Sequence, residues 1–276
     1  MNSTILLLLC TTALAIGPSA EEKVARWFAL QATEWSNVCA QLVLIFADER
    51  WLSAARQLAA EVVAHGHCTA MYLWIDNNSS AVCTDQQLCY VDRTTACTDN
   101  SRRWGSNRYF QTIGQRVPLL SALLNRLPLD WQRGVALFDA DIVLRRNALS
   151  RFARSNATLV VQQEWPCITA PAHLCCNGGL YWLRRSSAGR QMAAQTASLM
   201  QRLRLPDQDA WQLTVHGRSD VQFLDRHRYA NGYTLLHDDS FALAQAHAIH
   251  VNWLPNTDTK LAVLRKLRRQ PASLVY

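Results

Sequence analysis

The sequence has little glycine, proline and lysine, and these scarcities narrow the class of protein. Its 276 residues include 10 Gly and 8 Pro, and apolar residues make up 49% against 18% charged residues. This composition excludes collagen-like, low-complexity and intrinsically disordered chains, and it predicts one packed globule with a sizeable core. Lysine occurs only at Lys23, Lys260 and Lys266, so the net charge of +7 comes almost entirely from arginine. A basic balance suits an anionic ligand, but charge alone does not choose among nucleotide, acidic glycan, lipid surface and nucleic acid.

Long apolar runs and the signatures of several enzyme classes are also missing. After residue 20, no stretch reaches the roughly 18 consecutive apolar residues of a membrane-spanning helix. The sequence has no G-x-G-x-x-G, Walker loop, G-x-S-x-G or H-E-x-x-H, so dinucleotide, P-loop, serine-hydrolase and zinc-protease chemistry lack their motifs. A glycoside hydrolase needs two carboxylates that flank one bond, and Glu164, the only glutamate after Glu61, has no carboxylate paired with it in the sequence.

The first 20 residues form an apolar segment of signal-peptide length. Residues 5–16 are almost uninterrupted apolar residues, and small residues follow up to Ala20. We predict a signal peptide at residues 1–20 and a mature chain in the secretory-pathway lumen, in the ER or Golgi, or secreted. The run lacks preceding basic residues and Pro18 lies near the cut, so an uncleaved membrane anchor and a buried N-terminal helix stay open as alternatives.

The cysteine count favours disulfide bonds. Eight cysteines follow the apolar segment, and an even number in a secreted chain indicates pairing, although spacing fixes neither the partners nor whether all are paired. They are Cys39, Cys68, Cys83, Cys89, Cys97, Cys167, Cys175 and Cys176. Asn77, Asn78 and Asn156 each begin an N-glycosylation sequon, which fits the same compartment.

Hydrophobic periodicity predicts an α/β fold. An apolar run at 41–47, helical spacing over 51–63 and a second run at 71–75 form a βαβ unit with parallel strands. The polar, Cys-rich residues 77–108 lack periodicity and predict a disulfide-tied insertion. The pattern also predicts the following helices and strands: helices near 117–127, 147–154 and 192–203, and strands at 134–138, 158–162 and 180–183. We therefore expect residues 21–276 to form a single domain whose mostly parallel central sheet is flanked by helices.

Two carboxylates follow one of these strands directly. Asp139 and Asp141 come after the apolar residues 134–138, and ligands of open α/β sheets gather beyond the carboxyl ends of the strands. Two carboxylates at such an edge can hold a divalent cation. A lone D-x-D is weak evidence, because a second one occurs at Asp207 and Asp209 and because a neighbouring arginine could pair with the carboxylates instead.

Five short motifs in a fixed order resemble those of the nucleotide-diphospho-sugar transferase family. They read LFDADIVLRRN, CCNGGLYWLRR, DQDAWQ, YANGY and IHVNWLPNTDTK, and the resemblance extends from about Leu42 to Arg265. The family includes plant and algal xylosyl- and arabinosyltransferases of the secretory pathway, grouped as glycosyltransferase family 77. The resemblance implies a GT-A type nucleotide-sugar-binding fold, in which a D-x-D motif holds Mn²⁺ or Mg²⁺ against the diphosphate of a sugar nucleotide, with a UDP-sugar as the first choice.

The resemblance also implies roles for individual residues. The implied metal ligands are Asp139, Asp141 and His250. The implied donor-binding residues are Asp139, Asn177, Gly178 and Lys260, with Asn177 and Gly178 in a turn before a strand. The catalytic candidates at the reacting sugar are Asp207, Gln208 and Asp209. At one position the chain departs from the family, since Asn256 stands where a glycine is usual, which puts the geometry of that loop in question.

Together these features predict a metal-dependent glycosyltransferase that moves a pentose or hexose to a hydroxyl of a glycan, glycoprotein or glycolipid. Breaking the glycosyl–diphosphate bond leaves negative charge on the diphosphate, which a metal and Lys260 would stabilise. An imidazole ligand at His250 favours Mn²⁺, although a lone histidine is more often a packed or surface residue. We expect retention of configuration, no nucleic-acid partner and possible membrane anchoring through the N-terminal segment. The alternative is a catalytically silent, disulfide-bonded carbohydrate-binding protein on the same scaffold.

Basic residues and leucines alternate at helical spacing near the C-terminus. Residues 260–269 contain five Lys or Arg and three Leu, which predicts an amphipathic helix. Most such charges form a solvated helix face. The other interpretation is that the basic residues beyond Lys260 attract an anionic donor or an acidic glycan.

Overall fold

A computed structural model describes residues 24–26, 28–29, 39, 41–74, 88–92, 113–127, 133–167 and 174–270. The predicted signal segment, most of the Cys-rich insertion and the sequons at Asn77 and Asn78 lie outside the described residues. The strands are β1 Leu42–Asp48, β2 Cys68–Trp74, β3 Leu88–Asp92, β4 Gly134–Asp139, β5 Ile142–Leu144, β6 Leu159–Glu164, β7 Cys175–Arg184, β8 Val221–Leu224, β9 Tyr229–Asn231 and β10 Ala248–His250. The helices are α1 Leu52–Ala64, α2 Arg116–Arg126, α3 Leu149–Arg154, α4 Ser187–Leu203, α5 Asp207–Val215, α6 Gly232–His237 and α7 Thr257–Arg269.

A seven-stranded sheet with the order β3-β2-β1-β4-β7-β6-β8 forms the centre of the fold. The pairs β1–β2, β2–β3, β1–β4 and β6–β8 are parallel, whereas β7 runs antiparallel to both β4 and β6. The prediction of an α/β fold with a mostly parallel sheet is confirmed. A smaller sheet of three strands, β5-β10-β9, lies where β4 ends, because β5 follows β4 after a two-residue turn.

Helices cover both faces of the large sheet, which explains why its inner strands are continuous apolar runs. Side chains of β1 alternate between two cores: Leu44 packs with α2, α4 and α5, and Ile45 packs with α1 and α3. A third cluster lies under α7, where Leu264 and Leu267 pack beside β5 and β10. The C-terminal amphipathic helix that the sequence predicts is therefore present, with Leu264 and Leu267 buried and Leu261 partly buried.

Two segments differ from their sequence-based interpretation. Residues 88–92, inside the predicted irregular insertion, form β3 at the edge of the sheet, because five residues are enough to pair with β2. The Cys-Cys-Asn-Gly-Gly segment is not a turn before a strand but the beginning of β7. Its Cys175 and Cys176 pair with Glu164 and Gln163 of β6. Glycine is unfavourable in strands, so periodicity alone suggested a break there.

The cysteines of the described region are not all paired. Disulfides join Cys39 to Cys68 and Cys167 to Cys175, whereas Cys176 is free and buried. Successive residues of a strand point to opposite faces, so Cys175 reaches Cys167 while Cys176 points into the core. The side chains of Cys83, Cys89 and Cys97 lie outside the described residues. Within the described chain, no helix has both the length and the apolar character needed to cross a membrane.

Candidate metal centre and active site

Three potential metal ligands converge where the two sheets meet. Asp139 ends β4, Asp141 precedes β5, and His250 ends β10, whose antiparallel pairing places His250 opposite Ile142. The ligand atoms of the three side chains all lie within 4.8 Å of one another. His250 Nε2 is 3.0 Å from Asp141 Oδ1 and 3.5 Å from Asp139 Oδ2. The structure thus brings together the three residues that the sequence predicts as metal ligands.

Hydrogen bonds on the far side of the imidazole fix how His250 faces the carboxylates. His250 Nδ1 lies 3.1 Å from Gln162 Oε1 and 3.0 Å from Asn177 Oδ1. Both amides are held in this orientation, because Gln162 Nε2 donates to the Tyr229 carbonyl at 3.0 Å and Asn177 Nδ2 donates to Glu164. Two acceptors at Nδ1 require a proton there, so Nε2 of the neutral ring directs its lone pair at the two aspartates.

This arrangement fits a divalent cation. His250 Nε2 is buried and, among the described residues, makes no hydrogen bond of good geometry. A lone pair that faces two carboxylates is unfavourable unless a cation or a proton lies between them. Burial by itself would lower the pKa of His250, but Asp141 and Asp139 raise it to about 9, so without a cation the site attracts a proton. Two carboxylates and one imidazole form a ligand set that suits Mn²⁺ or Mg²⁺.

Lys260 provides a further positive charge beside this cluster. Lys260 Nζ lies 2.7 Å from Asp141 Oδ2. Burial would raise the pKa of Asp141, but Lys260 and His250 outweigh burial and hold it well below its ordinary value. Lys260 lies in the first turn of α7, and Asn256 is the N-cap of that helix, with its side chain accepting a hydrogen bond from Thr259 N at 2.8 Å. Asn256 has an extended backbone with φ of −152°, so the position that departs from the family pattern requires no glycine.

Arg116 connects the carboxylate cluster to the catalytic candidates on α5. Its side chain is buried and lies 2.6 Å from Asp139 Oδ1 and 3.3 Å from Asp207 Oδ2, and it donates to the Gly178 carbonyl at 3.0 Å. Burial raises the pKa of Asp207 to about 6, because Asp139 reinforces the effect and Arg116 only partly opposes it. Sequence reasoning missed Arg116, since it lies in an apolar stretch of α2 far from every motif.

The other predicted residues divide between this cluster and the surface. Gln208 Oε1 accepts a hydrogen bond from Gly178 N at 3.1 Å, so Gln208 and Gly178 share one wall of the site with Asp207. Asp209 is exposed on the opposite side of the first turn of α5. Residues two apart on a helix do not face the same way, so the structure does not bring Asp209 to the cluster with Asp207.

Comparison with known proteins identifies the family. The model of the nucleotide-diphospho-sugar transferase family matches residues 61–264, which is more than half of the chain. The chain belongs to this family. Among curated proteins, none matches the sequence significantly.

The fold of this family member is similar to that of solved glycosyltransferases. One is the apo structure of the bifunctional glycosyltransferase WbbM, with a TM-score of 0.52 and 10% identity over 86% of this chain and 52% of that chain. Another is the apo form of the glycosyltransferase GlyE of Streptococcus pneumoniae TIGR4, with a TM-score of 0.50 and 10% identity over 86% of this chain and 62% of that chain. The chain thus spans between half and two thirds of the length of these structures, and at such identity the likeness concerns the fold alone.

Two glycines of β7 allow this strand to pack closely against the side chains of the site. A Cβ atom on Gly179 would lie 2.3 Å from Asp139 Oδ2 and 2.3 Å from His250 Cε1, which no ordinary contact permits. A Cβ atom on Gly178 would lie 3.2 Å from Asp207 Oδ1, which is tight but tolerable. Gly179 is therefore required for the approach of β7 to the ligands, and Gly178 lets β7 pack closely against Asp207 and Gln208.

Proposed function

We propose that the protein transfers a sugar from a nucleotide-diphosphate donor to a hydroxyl of a glycan or glycoprotein, with a divalent cation held by Asp139, Asp141 and His250. The observation that carries the proposal is the convergence of these ligand atoms within 4.8 Å in a member of the nucleotide-diphospho-sugar transferase family. The buried imidazole beside two carboxylates favours Mn²⁺ over Mg²⁺. UDP-sugars are the first donors to test, on the resemblance to xylosyl- and arabinosyltransferases.

The leaving diphosphate would be stabilised on the side of the cluster where Lys260 lies. The cation, when bound, acts as a Lewis acid that neutralises the developing negative charge. Lys260 Nζ, now bonded to Asp141 Oδ2, is partly exposed and positioned to donate to a diphosphate oxygen. Hydrogen-bond donors that already point at the developing charge need no reorganisation during the reaction.

The sugar and acceptor would lie on the opposite side of Asp139, beside β7 and α5. An inverting enzyme requires a carboxylate that is open to the acceptor hydroxyl. Asp207 is 4% exposed and paired with Arg116, and Asp209 faces away from the cluster, so neither supports that role. We therefore favour retention of the anomeric configuration. Asp207 and Gln208, together with Gly178, would then form the wall of the site beside the reacting sugar.

A secretory compartment is part of the same proposal. The disulfides Cys39–Cys68 and Cys167–Cys175 support an oxidising environment, since such bonds are rare in the cytosol. The N-terminal apolar segment would direct the chain there, as a cleaved signal peptide or as an anchor.

The test uses Asp141→Asn, which removes a ligand charge and keeps the side-chain shape. Truncation to alanine is less suitable, because Asp141 is buried between His250 and Lys260 and alanine would leave no polar atom facing them. Thermal unfolding is measured with UDP-sugars in Mn²⁺, Mg²⁺ or EDTA, together with nucleotide release. A donor at 100 times its dissociation constant should stabilise the wild type by about 2.7 kcal/mol.

We expect this stabilisation and nucleotide release to require the metal and to vanish in Asp141→Asn. The matched control is Asp220→Asn, which makes the same chemical change at an exposed pair with Arg218 and should keep both properties. Metal-dependent donor binding that survives in Asp141→Asn would refute the metal assignment. Stabilisation by oligosaccharides but by none of the donors would favour the catalytically silent carbohydrate-binding protein.

A further inference from the structure

A pocket of about 640 Å³ lies between α1, β5 and α7, and it contains none of the site residues described above. Four arginines line it, opposed by a single glutamate, Glu61; they are Arg145, Arg265, Arg268 and Arg269. Val143 and Leu144 of β5 form part of its wall. Its volume falls within the range of roughly 300 to 1,000 Å³ that small-ligand sites occupy.

Two of the arginines are held in fixed positions by the fold. Arg145 is 8% exposed, and its NH1 donates to the carbonyls of Leu267 at 2.8 Å and Gln270 at 2.7 Å. Arg268 Nε lies 2.6 Å from Glu61 Oε1, and its NH2 donates to the Ile142 carbonyl at 3.1 Å. These contacts order both guanidinium groups before any ligand arrives, which lowers the entropic cost of binding.

The other two arginines give the pocket its excess positive charge. Arg265 and Arg269 are four residues apart on α7, so they lie on the same face of the helix, and both are exposed. Neither forms an ion pair with any residue that the structure describes. Burial and the neighbouring Arg146 lower the pKa of Arg145, and Glu61 opposes this effect only in part.

We propose that this pocket binds a sugar unit that carries a carboxylate or sulfate group and belongs to the acceptor glycan. The acceptor role rests on the proposed transferase function, whereas the binding of an acidic sugar does not. Guanidinium groups match the planar oxygens of carboxylate and the oxygens of sulfate, and the apolar wall suits a sugar ring. A concavity of this volume suits one or a few sugar units better than a long nucleic acid, which basic stripes along an extended surface bind.

The position of the pocket fits an acceptor that also reaches the metal centre. Asp141 directly precedes β5, and residues of β5 line the pocket. Lys260 and Arg269 lie on the same helix, about 13 Å apart at 1.5 Å per residue. The pocket lies on the Lys260 side of the cluster, so the acceptor would be a chain of several units that places an acidic unit in the pocket, passes the cluster and presents its hydroxyl beside β7 and α5.

The experiment measures direct binding to the full chain by titration calorimetry in EDTA. The probes are trigalacturonate, its neutral methyl ester, a sulfated galactose trisaccharide, inorganic phosphate and a single-stranded oligonucleotide. The pocket variant is Arg265→Gln/Arg269→Gln, and both residues are exposed, so folding should be unaffected. The matched control is Lys266→Gln/Arg202→Gln, which removes the same charge from exposed residues outside the pocket.

We expect trigalacturonate or the sulfated sugar to bind the wild type and the control, and to bind the pocket variant at least about tenfold more weakly. The methyl ester should not bind, and the comparison of the two acidic sugars identifies the anion. Equal losses in both variants, equal binding of the ester, binding of phosphate alone, or binding of the oligonucleotide in place of the sugars would overturn the proposal.

A parallel measurement separates this proposal from the proposed function. The pocket variant should keep its Mn²⁺-dependent stabilisation by donor, and Asp141→Asn should keep its affinity for the acidic sugar. Sugar binding without any donor binding in the wild type would refute the transferase function and leave the pocket assignment intact.

Discussion

At the scale of single residues, the candidate metal centre depends on side chains that are not among its proposed ligands. Glu164 is the clearest case, because it accepts a hydrogen bond from Asn177 Nδ2 and another from Trp253 Nε1 at 2.7 Å. Asn177 can then direct its oxygen at both His250 Nδ1 and Gly179 N. Residues that orient a metal-binding histidine through hydrogen bonds also change the affinity of that histidine for the metal.

We therefore expect Glu164→Gln to weaken Mn²⁺ binding by about 10- to 100-fold. Because glutamine keeps only one acceptor oxygen, its NH2 group would face one of the two donors, Asn177 Nδ2 or Trp253 Nε1, and the hold on the Asn177 side chain would weaken. Calorimetric titration with Mn²⁺ measures the change. The control is Trp253→Phe, which removes only the second donor and should bind Mn²⁺ within about threefold of the wild type; an equal loss in both variants would contradict the role assigned to Asn177.

The sequence predicts the site residues that a recognisable local pattern marks. It does not predict those whose partners are distant in sequence and meet them only in the fold. Asp139 and Asp141 were visible because an apolar strand directly precedes them. Glu164 and Arg116 carry no local signal, since their partners lie on strands and helices distant in sequence. The structural role of such residues exists only after β6, β7 and α2 have come together.

At the scale of elements, α7 places a basic residue near each of its ends in an ion pair with another element. Lys260, in its first turn, contacts Asp141, and Arg268, in its last turn, pairs with Glu61 of α1. Sequence periodicity predicted this amphipathic helix, and its buried Leu264 and Leu267 explain why. The same periodicity could not show that β7 continues through two glycines, because that continuation depends on pairing with β6.

The N-cap of α7 provides a test of how this helix begins. Asn256→Ala should lower the free energy of unfolding by about 0.5 to 2 kcal/mol, because Thr259 N loses its acceptor. Asn256→Gly, which restores the residue usual in the family, should cost only a few tenths of a kcal/mol. Urea denaturation of both variants measures the difference. A cost near zero for Asn256→Ala would show that the side-chain cap contributes nothing at this position.

At the scale of the whole molecule, burial of neutral histidines makes stability depend on pH. His247 is 6% exposed and stacks on Tyr229, with ring centroids 5.5 Å apart. Burial lowers the pKa of His247 to about 4, and Arg151, Arg146 and Arg228 act in the same direction. The folded protein thus binds the proton less readily than the unfolded chain, in which the ordinary value of 6.5 applies.

Because the pKa of His247 is lower in the folded protein than in the unfolded chain, protonation of His247 favours unfolding in acid. Its contribution is absent above pH 6.5 and grows as the pH falls toward 4, where we expect a loss of about 1 to 2 kcal/mol after allowing for solvent around the ring. His247→Phe keeps the stack on Tyr229 and cannot be protonated, so its free energy of unfolding should fall less steeply between pH 7 and pH 4.5. Urea denaturation across that range, in EDTA to exclude metal effects, gives the two slopes. Because burial also lowers the pKa of His67, part of the pH dependence should remain in the variant. Identical slopes for the wild type and the variant would show that His247 binds a proton as readily in the folded protein as in the unfolded chain.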